Sequence, residues 1–468
     1  MKNQHKQISR RCKQLLRQWC QVGLSGGTEI FNRKFTGQMR NQLTPDSKMC
    51  YVIQNSFPQI LRFFAKRGFP MKETKQWVRL RHRVVVPVVH LFFGPYVRWK
   101  YHIHIERFRK EGKRPYLILM NHQTGFDQFF VGMSFRQPVY YVATEDIFSL
   151  GRVSDLLRWL VAPIPIKKQT TDIQAVKNCI RVAREGGSIC VAPEGNRTFH
   201  GRTVYMNPSI ASLAKKLALP IAFFRIEGGY GIHPRWSDVV RGGTMKSCVS
   251  RVMEPEEFEN LSKDQLARII QQELSVDEAK VTGQYPHPKN AEFLERAMYV
   301  CPWCGLTTFE SCGDIIRCTK CGREIRHLPT KELEGIGFTF PHRFVADWYD
   351  WQNDYINRTD LSSLTAAPVW EETVQLSRVH VYKRKELLKK DALVGLYGDR
   401  ITVDGREFPF ETLGAVVVLG KNKVNLYTGT EVLQLKGGKR FNALKYVNFF
   451  HKYKNDKAGN KHGQFLGL

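Results

Sequence analysis

The sequence has few acidic residues for its length. Only 43 Asp and Glu accompany 72 Lys and Arg, which gives a formal net charge of +29 over 468 residues. The first 23 residues contain no acid at all. An excess of this size predicts an anionic partner, which can be a membrane surface, a phosphorylated substrate or nucleic acid.

A long, uninterrupted apolar run is also missing. A helix that spans a membrane needs about 18 or more consecutive apolar residues. The best uncharged candidate, residues 84–97, is shorter and contains Pro87, His90 and Pro95. The first residues lack an apolar core of signal-peptide length. We therefore predict a peripheral protein that lies on a membrane surface and does not cross it.

A disulfide framework is not expected. The 11 cysteines are odd in number, and most are scattered in apolar or helical surroundings. This usage is typical of a reducing compartment, so we predict a cytoplasmic location at the inner face of a membrane.

Four of the cysteines form two C-x-x-C pairs, Cys301 with Cys304 and Cys318 with Cys321, separated by 13 residues. This spacing predicts a zinc ribbon in which one structural Zn²⁺ is bound by four thiolates. Cys312 lies between the pairs and is not expected to be a ligand. A zinc ribbon can also bind nucleic acid, an alternative that rests on nearby basic residues: Arg317, Lys320, Arg323 and Arg326.

One short apolar run is followed by residues suited to proton transfer. Residues 116–120 are too few for a helix and predict a buried strand. Asn121 and His122 follow it, and Asp127 comes five positions after the histidine. Histidine is the side chain best suited to take a proton near neutral pH, and a carboxylate across the turn can hold it in one tautomer. No serine nucleophile stands beside the pair, so the attacking hydroxyl is expected to belong to the substrate.

A second predicted strand, residues 188–192, also ends in polar residues. Glu194, Gly195 and Arg197 follow Pro193. The arginine offers a planar fork of donors suited to a phosphate, and the glycine lets the backbone come close to a ligand. Either motif alone is more often an ordinary turn. Their order and spacing together indicate a functional site.

Together the two stretches resemble the glycerolipid acyltransferase family, whose best-known activity is 1-acylglycerol-3-phosphate acyltransferase. The family motif N-H-x-x-x-x-D matches residues 121–127, and P-E-G-T-R-S is matched by Pro193, Glu194, Gly195 and Arg197, while Asn196 and Thr198 depart from it. Weaker blocks lie at 162–168 and 219–224. The resemblance covers roughly residues 80–285, less than half of the chain.

The resemblance implies acyl transfer from acyl-CoA or acyl-carrier protein to the free hydroxyl of a lysophospholipid. The favoured acceptor is 1-acylglycerol-3-phosphate, which gives phosphatidic acid. His122 would be the base and Asp127 would orient it, while the acceptor would be bound by Arg197, Glu194, Gly195, Asn121, Lys167 and Lys168. The alternatives are another lysolipid or glycerol phosphate as acceptor, hydrolysis of the donor, or a non-catalytic adaptor that binds membrane or nucleic acid. Nucleic acid is the less favoured partner.

Two segments near the start of the chain suggest lipid contact. In residues 1–23, Ile8, Cys12 and Leu16 fall on one face of a basic amphipathic helix. Such a helix can bind anionic lipid, pack on its own domain, or belong to a transit peptide. The run from Val84 to Val97 can likewise face a bilayer or form a core helix, and the flanking Trp residues favour the bilayer.

The remaining pattern predicts the fold class. Strands and helices alternate over residues 99–285, which predicts an α/β domain with a mixed sheet flanked by helices. Short strands with turn residues follow residue 371, and one closing helix over 441–453 completes a module that resembles a pleckstrin-homology domain. The predicted divisions are 1–79 (basic helical region), 80–285 (acyltransferase domain), 286–335 (zinc ribbon with a preceding helix), 336–370 (aromatic helix and linker), 371–454 (β-rich module) and 455–468 (disordered tail).

Overall fold

The computed structural model describes residues 76–144, 147–148, 152–166, 172–380, 385–460, 463 and 465. The chain divides into two compact units, Met1–Pro70 and Met71–Leu468, and the described residues belong to the second. The predicted helix over residues 1–23 and the predicted phosphate contacts Lys167 and Lys168 lie outside the described residues.

The first helix, α1, spans Leu80–Tyr101. His102 ends it with a φ of 45° in the left-handed region, and its N–H donates to the Arg98 carbonyl. Several apolar side chains of α1 are exposed to solvent, while Val97 and Tyr101 are buried. Helix α1 therefore packs on the domain with some of its side chains and exposes other apolar side chains to solvent. Within the described part of the chain, none of the helices has both the length and the apolar character needed to cross a bilayer.

An α/β domain follows, built on one mixed sheet as predicted. Its strands are β1 (Ile103–Ile105), β2 (Leu117–Met120), β3 (Val139–Thr144), β4 (Ile164–Ile166), β5 (Ser188–Val191), β6 (Ile221–Glu227) and β7 (Met245–Met253). Its helices after α1 are α2 (Asp127–Ser134), α3 (Arg152–Val161), α4 (Ile173–Arg184), α5 (Ser209–Leu217), α6 (Gly229–Ile232), α7 (Pro255–Phe258) and α8 (Lys263–Leu274).

The strand order of this sheet brings the two predicted motifs together. The order is β1-β7-β6-β2-β5-β3-β4, and β2 lies parallel to both β5 and β6. Leu117 pairs with Ile189 and Leu119 with Val191, so β2 and β5 end at the same edge. Ligand sites in such sheets lie at the carboxyl ends of the strands. β7 pairs antiparallel with β6, and β1 pairs parallel with β7, so both run opposite to the other strands.

The region with the paired cysteines consists of short strands. These are β8 (Val300–Cys301), β9 (Gly305–Leu306), β10 (Phe309–Cys312), β11 (Ile315–Cys318), β12 (Glu324–His327) and β13 (Leu333–Gly335). The helix predicted before the ribbon is a single 3-10 turn, Leu294–Arg296. It cannot begin earlier as an α-helix because Phe293 has a φ of 72° and its N–H donates to Ser311 Oγ instead of an intrahelical carbonyl.

The C-terminal region is mostly β, as predicted. Helix α9 (Val345–Arg358) and a 3-10 turn (Leu361–Leu364) precede β14 (Trp370–Arg378), β15 (Glu386–Leu396), β16 (Arg400–Val403), β17 (Arg406–Pro409), β18 (Ala415–Leu419), β19 (Lys423–Tyr427) and β20 (Val432–Gly437). They form an antiparallel sheet in the order β17-β16-β15-β14-β20-β19-β18. The closing helix α10 spans Leu444–Lys457, so it includes the first three residues of the predicted disordered tail.

One hydrophobic core joins the region of the paired cysteines, α9, the C-terminal sheet and α10. It also contains two side chains of the α/β domain, Phe199 and Trp236. Phe199 lies only two residues after Arg197 in the second motif. The region that follows the α/β domain therefore packs directly against the loop that carries that motif.

Candidate active site

The His122 and Asp127 side chains meet across the turn after β2. Nδ1 of His122 lies 2.8 Å from Oδ2 of Asp127. The buried carboxylate also accepts hydrogen bonds from the Gln123 N–H (2.7 Å) and from the Thr124 N–H and hydroxyl (3.0 and 2.6 Å). An ionised carboxylate only accepts hydrogen bonds, so Nδ1 carries the proton and Nε2 keeps a lone pair. The arrangement gives a base with a fixed tautomer.

The Arg197 guanidinium lies against this same turn. A Cβ built on Gly125, between His122 and Asp127, would be 3.8 Å from Arg197 Nη1. Asp127 acts to raise the pKa of Arg197, although burial is the larger influence and lowers that pKa. Gly195, two residues earlier, has a φ of 69°, which favours glycine. The two motifs predicted from sequence thus form one site.

Glu194 binds backbone groups of both motifs. Its Oε1 accepts a hydrogen bond from the His122 N–H at 2.8 Å, and its Oε2 accepts one from the Val204 N–H at 3.1 Å. Burial raises the pKa of Glu194 to about 8. The carboxyl group therefore ties the loop after β5 to the His122 backbone. The predicted contact of Glu194 with the acceptor stays a prediction.

Asn121 is buried, and both polar atoms of its amide bond to one neighbouring residue. Nδ2 donates to the Ile226 carbonyl and Oδ1 accepts from the Ile226 N–H, each at 2.8 Å. The amide thus continues the pairing of β2 with β6 just before His122. These contacts assign Asn121 to fixing the strand end, whereas its predicted contact with the acceptor stays a prediction.

The comparison with family models agrees with the motifs. The model of the Acyltransferase family matches residues 100–227, which include both motifs. The chain contains an acyltransferase domain. Among solved structures, the chain is similar to the 1-acyl-sn-glycerophosphate (LPA) acyltransferase PlsC from Thermotoga maritima, with 18% identity, a TM-score of 0.38, and coverage of 48% of this chain and 90% of that chain. A comparison with curated proteins gives no significant match.

Positive charge surrounds the site of the acyltransferase domain, partly from residues that the sequence did not indicate. The His233 ring centroid lies 6.0 Å from that of Tyr101, with the rings tilted by 49°. The pKa of His233 is lowered to about 3, by burial first and then by nearby cations that include Lys421 and Arg197. Lys421 comes from the turn after β18, and burial lowers its pKa too. A site with several nearby cations favours an anionic ligand.

Arg235 joins the acyltransferase domain to the C-terminal sheet at this point. Its buried guanidinium donates to the Arg197 carbonyl (Nη1, 2.9 Å) and to the Gly420 carbonyl (Nε, 2.8 Å). It also stacks 4.1 Å from the Phe199 ring centroid. One side chain thus holds the backbone of the Arg197 loop against the turn after β18. Nothing in the local sequence around Arg235 indicates this role, because its partners lie far away along the chain.

The four paired cysteines also come together. The sulfur atoms of Cys301, Cys304, Cys318 and Cys321 all lie within 4.8 Å of one another, whereas Cys312 is exposed and outside the group. The predicted ligand set is therefore assembled in space.

Proposed function

We propose that the protein transfers a fatty acyl group from acyl-CoA or acyl-carrier protein to the free hydroxyl of a lysophospholipid, with 1-acylglycerol-3-phosphate as the favoured acceptor. The observation that carries the proposal is the His122–Asp127 pair, with its 2.8 Å contact, beside the Arg197 guanidinium. A base and a neighbouring cation suited to a phosphate fit an acceptor with a hydroxyl near a phosphate.

The geometry supports a simple sequence of steps. Nε2 of His122 takes the proton of the acceptor hydroxyl while the oxygen attacks the thioester carbonyl. The tetrahedral intermediate then expels the thiol, which receives that proton from His122. Asp127 stabilises the imidazolium between the two proton transfers, and Arg197 holds the acceptor phosphate. The new ester bond replaces the thioester bond, so the reaction balances without a further reactant.

Product analysis tests the proposal. Purified protein is incubated with radiolabelled oleoyl-CoA and lysophosphatidic acid, and we expect labelled phosphatidic acid to form. Other lysolipids and glycerol phosphate, in separate reactions, identify the preferred acceptor. Labelled free fatty acid in place of phospholipid would indicate a hydrolase, and the absence of any labelled product with every donor and acceptor would favour the non-catalytic adaptor.

We also propose that α1 lies on an anionic membrane surface, so that the protein is peripheral on the cytoplasmic face. Leu80 and Leu91 are 75% and 69% exposed, and Val84, Val88, Phe92 and Trp99 are exposed as well. These positions follow spacings of three and four and so fall on one side of the helix. Exposed Arg83 and Arg98 accompany them. An apolar stripe with adjacent cations is typical of an interfacial helix.

Replacing Leu91 and Phe92 together by Asp should weaken binding to vesicles by at least about tenfold, because two charges would enter the lipid interface. Sedimentation with vesicles of phosphatidylglycerol and phosphatidylcholine measures this, and pure phosphatidylcholine measures the contribution of anionic lipid. Ile173→Asp, at an exposed position of α4, is the matched control. Equal binding of the double variant and the control would exclude α1 as the lipid contact.

A further inference from the structure

The geometry of the four cysteines matches a tetrahedral metal site. Cys301 Sγ and Cys321 Sγ are 3.9 Å apart. Four thiolates at about 2.3 Å from one Zn²⁺ would be separated by about 3.8 Å from each other. The sulfur atoms of all four cysteines lie within 4.8 Å of one another, as ligands of a single ion must.

The cluster also has a compensating charge. Four thiolates around one Zn²⁺ leave two negative charges. The Arg323 guanidinium lies 4.5 Å from the ring centroid of Trp303, the residue before Cys304, and so brings a positive charge beside the first cysteine pair. Arg326, another basic residue of the ribbon, forms ion pairs with Asp314 and Glu334. Arg323 and Arg326 are two of the four basic residues that favour the nucleic-acid alternative, and both already have partners within the protein.

Helix α9 is fixed to the strand that leads into the first cysteine pair. The Gln352 side chain accepts hydrogen bonds from the Tyr299 and Val300 N–H groups, at 2.8 and 3.1 Å. Trp348 Nε1 donates to the Val300 carbonyl at 3.0 Å. Both side chains are fully buried. The position of α9 therefore depends on the residues immediately before Cys301.

Other side chains of α9 contact the loop that carries Arg197. The Tyr349 ring stacks on His200 with centroids 4.4 Å apart and an interplanar angle of 8°. Arg202 pairs with Asp347 at 2.7 Å and also with Asp350. His200 and Arg202 follow Arg197 by three and five positions. Helix α9 thus lies between the cysteine cluster and the Arg197 loop, in direct contact with the residues next to both.

We propose that Cys301, Cys304, Cys318 and Cys321 bind one structural Zn²⁺, and that the bound ion, through α9, fixes the loop from Pro193 to Arg202. The description of this loop as the acceptor-binding loop rests on the proposed function, whereas metal binding and the order of the loop do not. Loss of the ion releases the Val300 backbone, then α9, then the contacts that α9 makes with His200 and Arg202.

Metal analysis of the full-length protein tests the first part. We expect about one zinc per chain in the wild type, and about one-tenth of that or less in Cys304→Ser/Cys321→Ser, because a zinc ribbon site needs all four thiolates. Cys312→Ser is the matched control and should keep its zinc, since this exposed cysteine lies outside the cluster. A wild type without zinc, or a double variant with full zinc content, would overturn the proposal.

Hydrogen exchange tests the second part without an activity assay. The informative amides are Thr198, bonded to the His122 carbonyl, and Gly201, bonded to the Thr198 hydroxyl. After removal of zinc by a chelator, their exchange should accelerate by about tenfold or more, while amides within α8 should change little. Unchanged exchange of the loop, or equal acceleration in α8 through global unfolding, would refute the link between the ion and the loop.

Kinetics then relate the loop to the reaction. If both proposals hold, the double cysteine variant should show a raised KM for the lysophospholipid, because the acceptor contact loosens, and a lowered kcat, because the same loop holds the His122 backbone through Glu194 and Thr198. The wild type could lack acyltransferase activity while removal of zinc still accelerates amide exchange in the loop. That result would support the metal proposal and refute the proposed function. The two failures are therefore distinguishable.

Discussion

Replacing His122 by Ala is expected to lower kcat for acyl transfer by about 10²–10⁴-fold, the usual contribution of a general base. The variant keeps the substrate-binding groups, so KM for either substrate should change little. Steady-state rates with oleoyl-CoA and lysophosphatidic acid measure the effect. The fold should survive, because the His122 ring is partly exposed, with 23% of its side chain accessible.

His104→Ala is the matched control for this change. This histidine lies on β1 of the same sheet with an exposed side chain, and it should retain wild-type rates. If His122→Ala turned over substrate as fast as the control, the proposed mechanism would be wrong, whatever the identity of the acceptor. A thermal melt of both variants distinguishes a loss of catalytic activity from a loss of folded protein.

Arg197→Ala is expected to lower kcat/KM for lysophosphatidic acid by about 10²-fold. A hydrogen bond to a charged group contributes about 1.5–3 kcal/mol, and a guanidinium can make two with one phosphate. Arg197→Lys should recover only part of this loss, because lysine keeps the charge but not the planar fork. Steady-state kinetics with varied acceptor concentration measure both variants.

Acceptor chemistry provides the control for Arg197. With monoacylglycerol, which has hydroxyls but no phosphate, the wild type and Arg197→Ala should differ little in rate. Arg184→Ala, at an exposed position at the end of α4, should behave as wild type with either acceptor. An equal loss with both acceptors would assign Arg197 to folding or to the donor site and not to the phosphate.

Local sequence was sufficient to predict the strands and the two motifs they carry. The apolar runs before Asn121 and Pro193 are too short for helices, and both are central strands in the structure. Helix α5 spans Ser209–Leu217, and Pro220, three residues after its end, is a sequence signal for that end. The pairing of β2 with β5 then brings His122 and Arg197 together, as the order of the motifs had indicated.

Contacts between distant parts of the chain could not be predicted in this way. Arg235 bonds to Gly420, 185 positions away, and neither residue belongs to a motif. The Glu194 carboxyl could equally have faced Arg197, and its actual partners are backbone N–H groups that carry no sequence information. The role of Gln352 could not be predicted either. Its buried side-chain amide accepts a hydrogen bond from the Tyr299 N–H, a backbone group just before the first cysteine pair.

The shared core of Phe199 and Trp236 with the C-terminal region has a practical consequence for dissecting the protein. A fragment that stops at residue 285 would keep every residue of the family motifs. It would nevertheless expose both aromatic rings to water and leave the Arg235 guanidinium without its Gly420 partner. We therefore expect a fragment that ends at residue 285 to be less stable than the full chain.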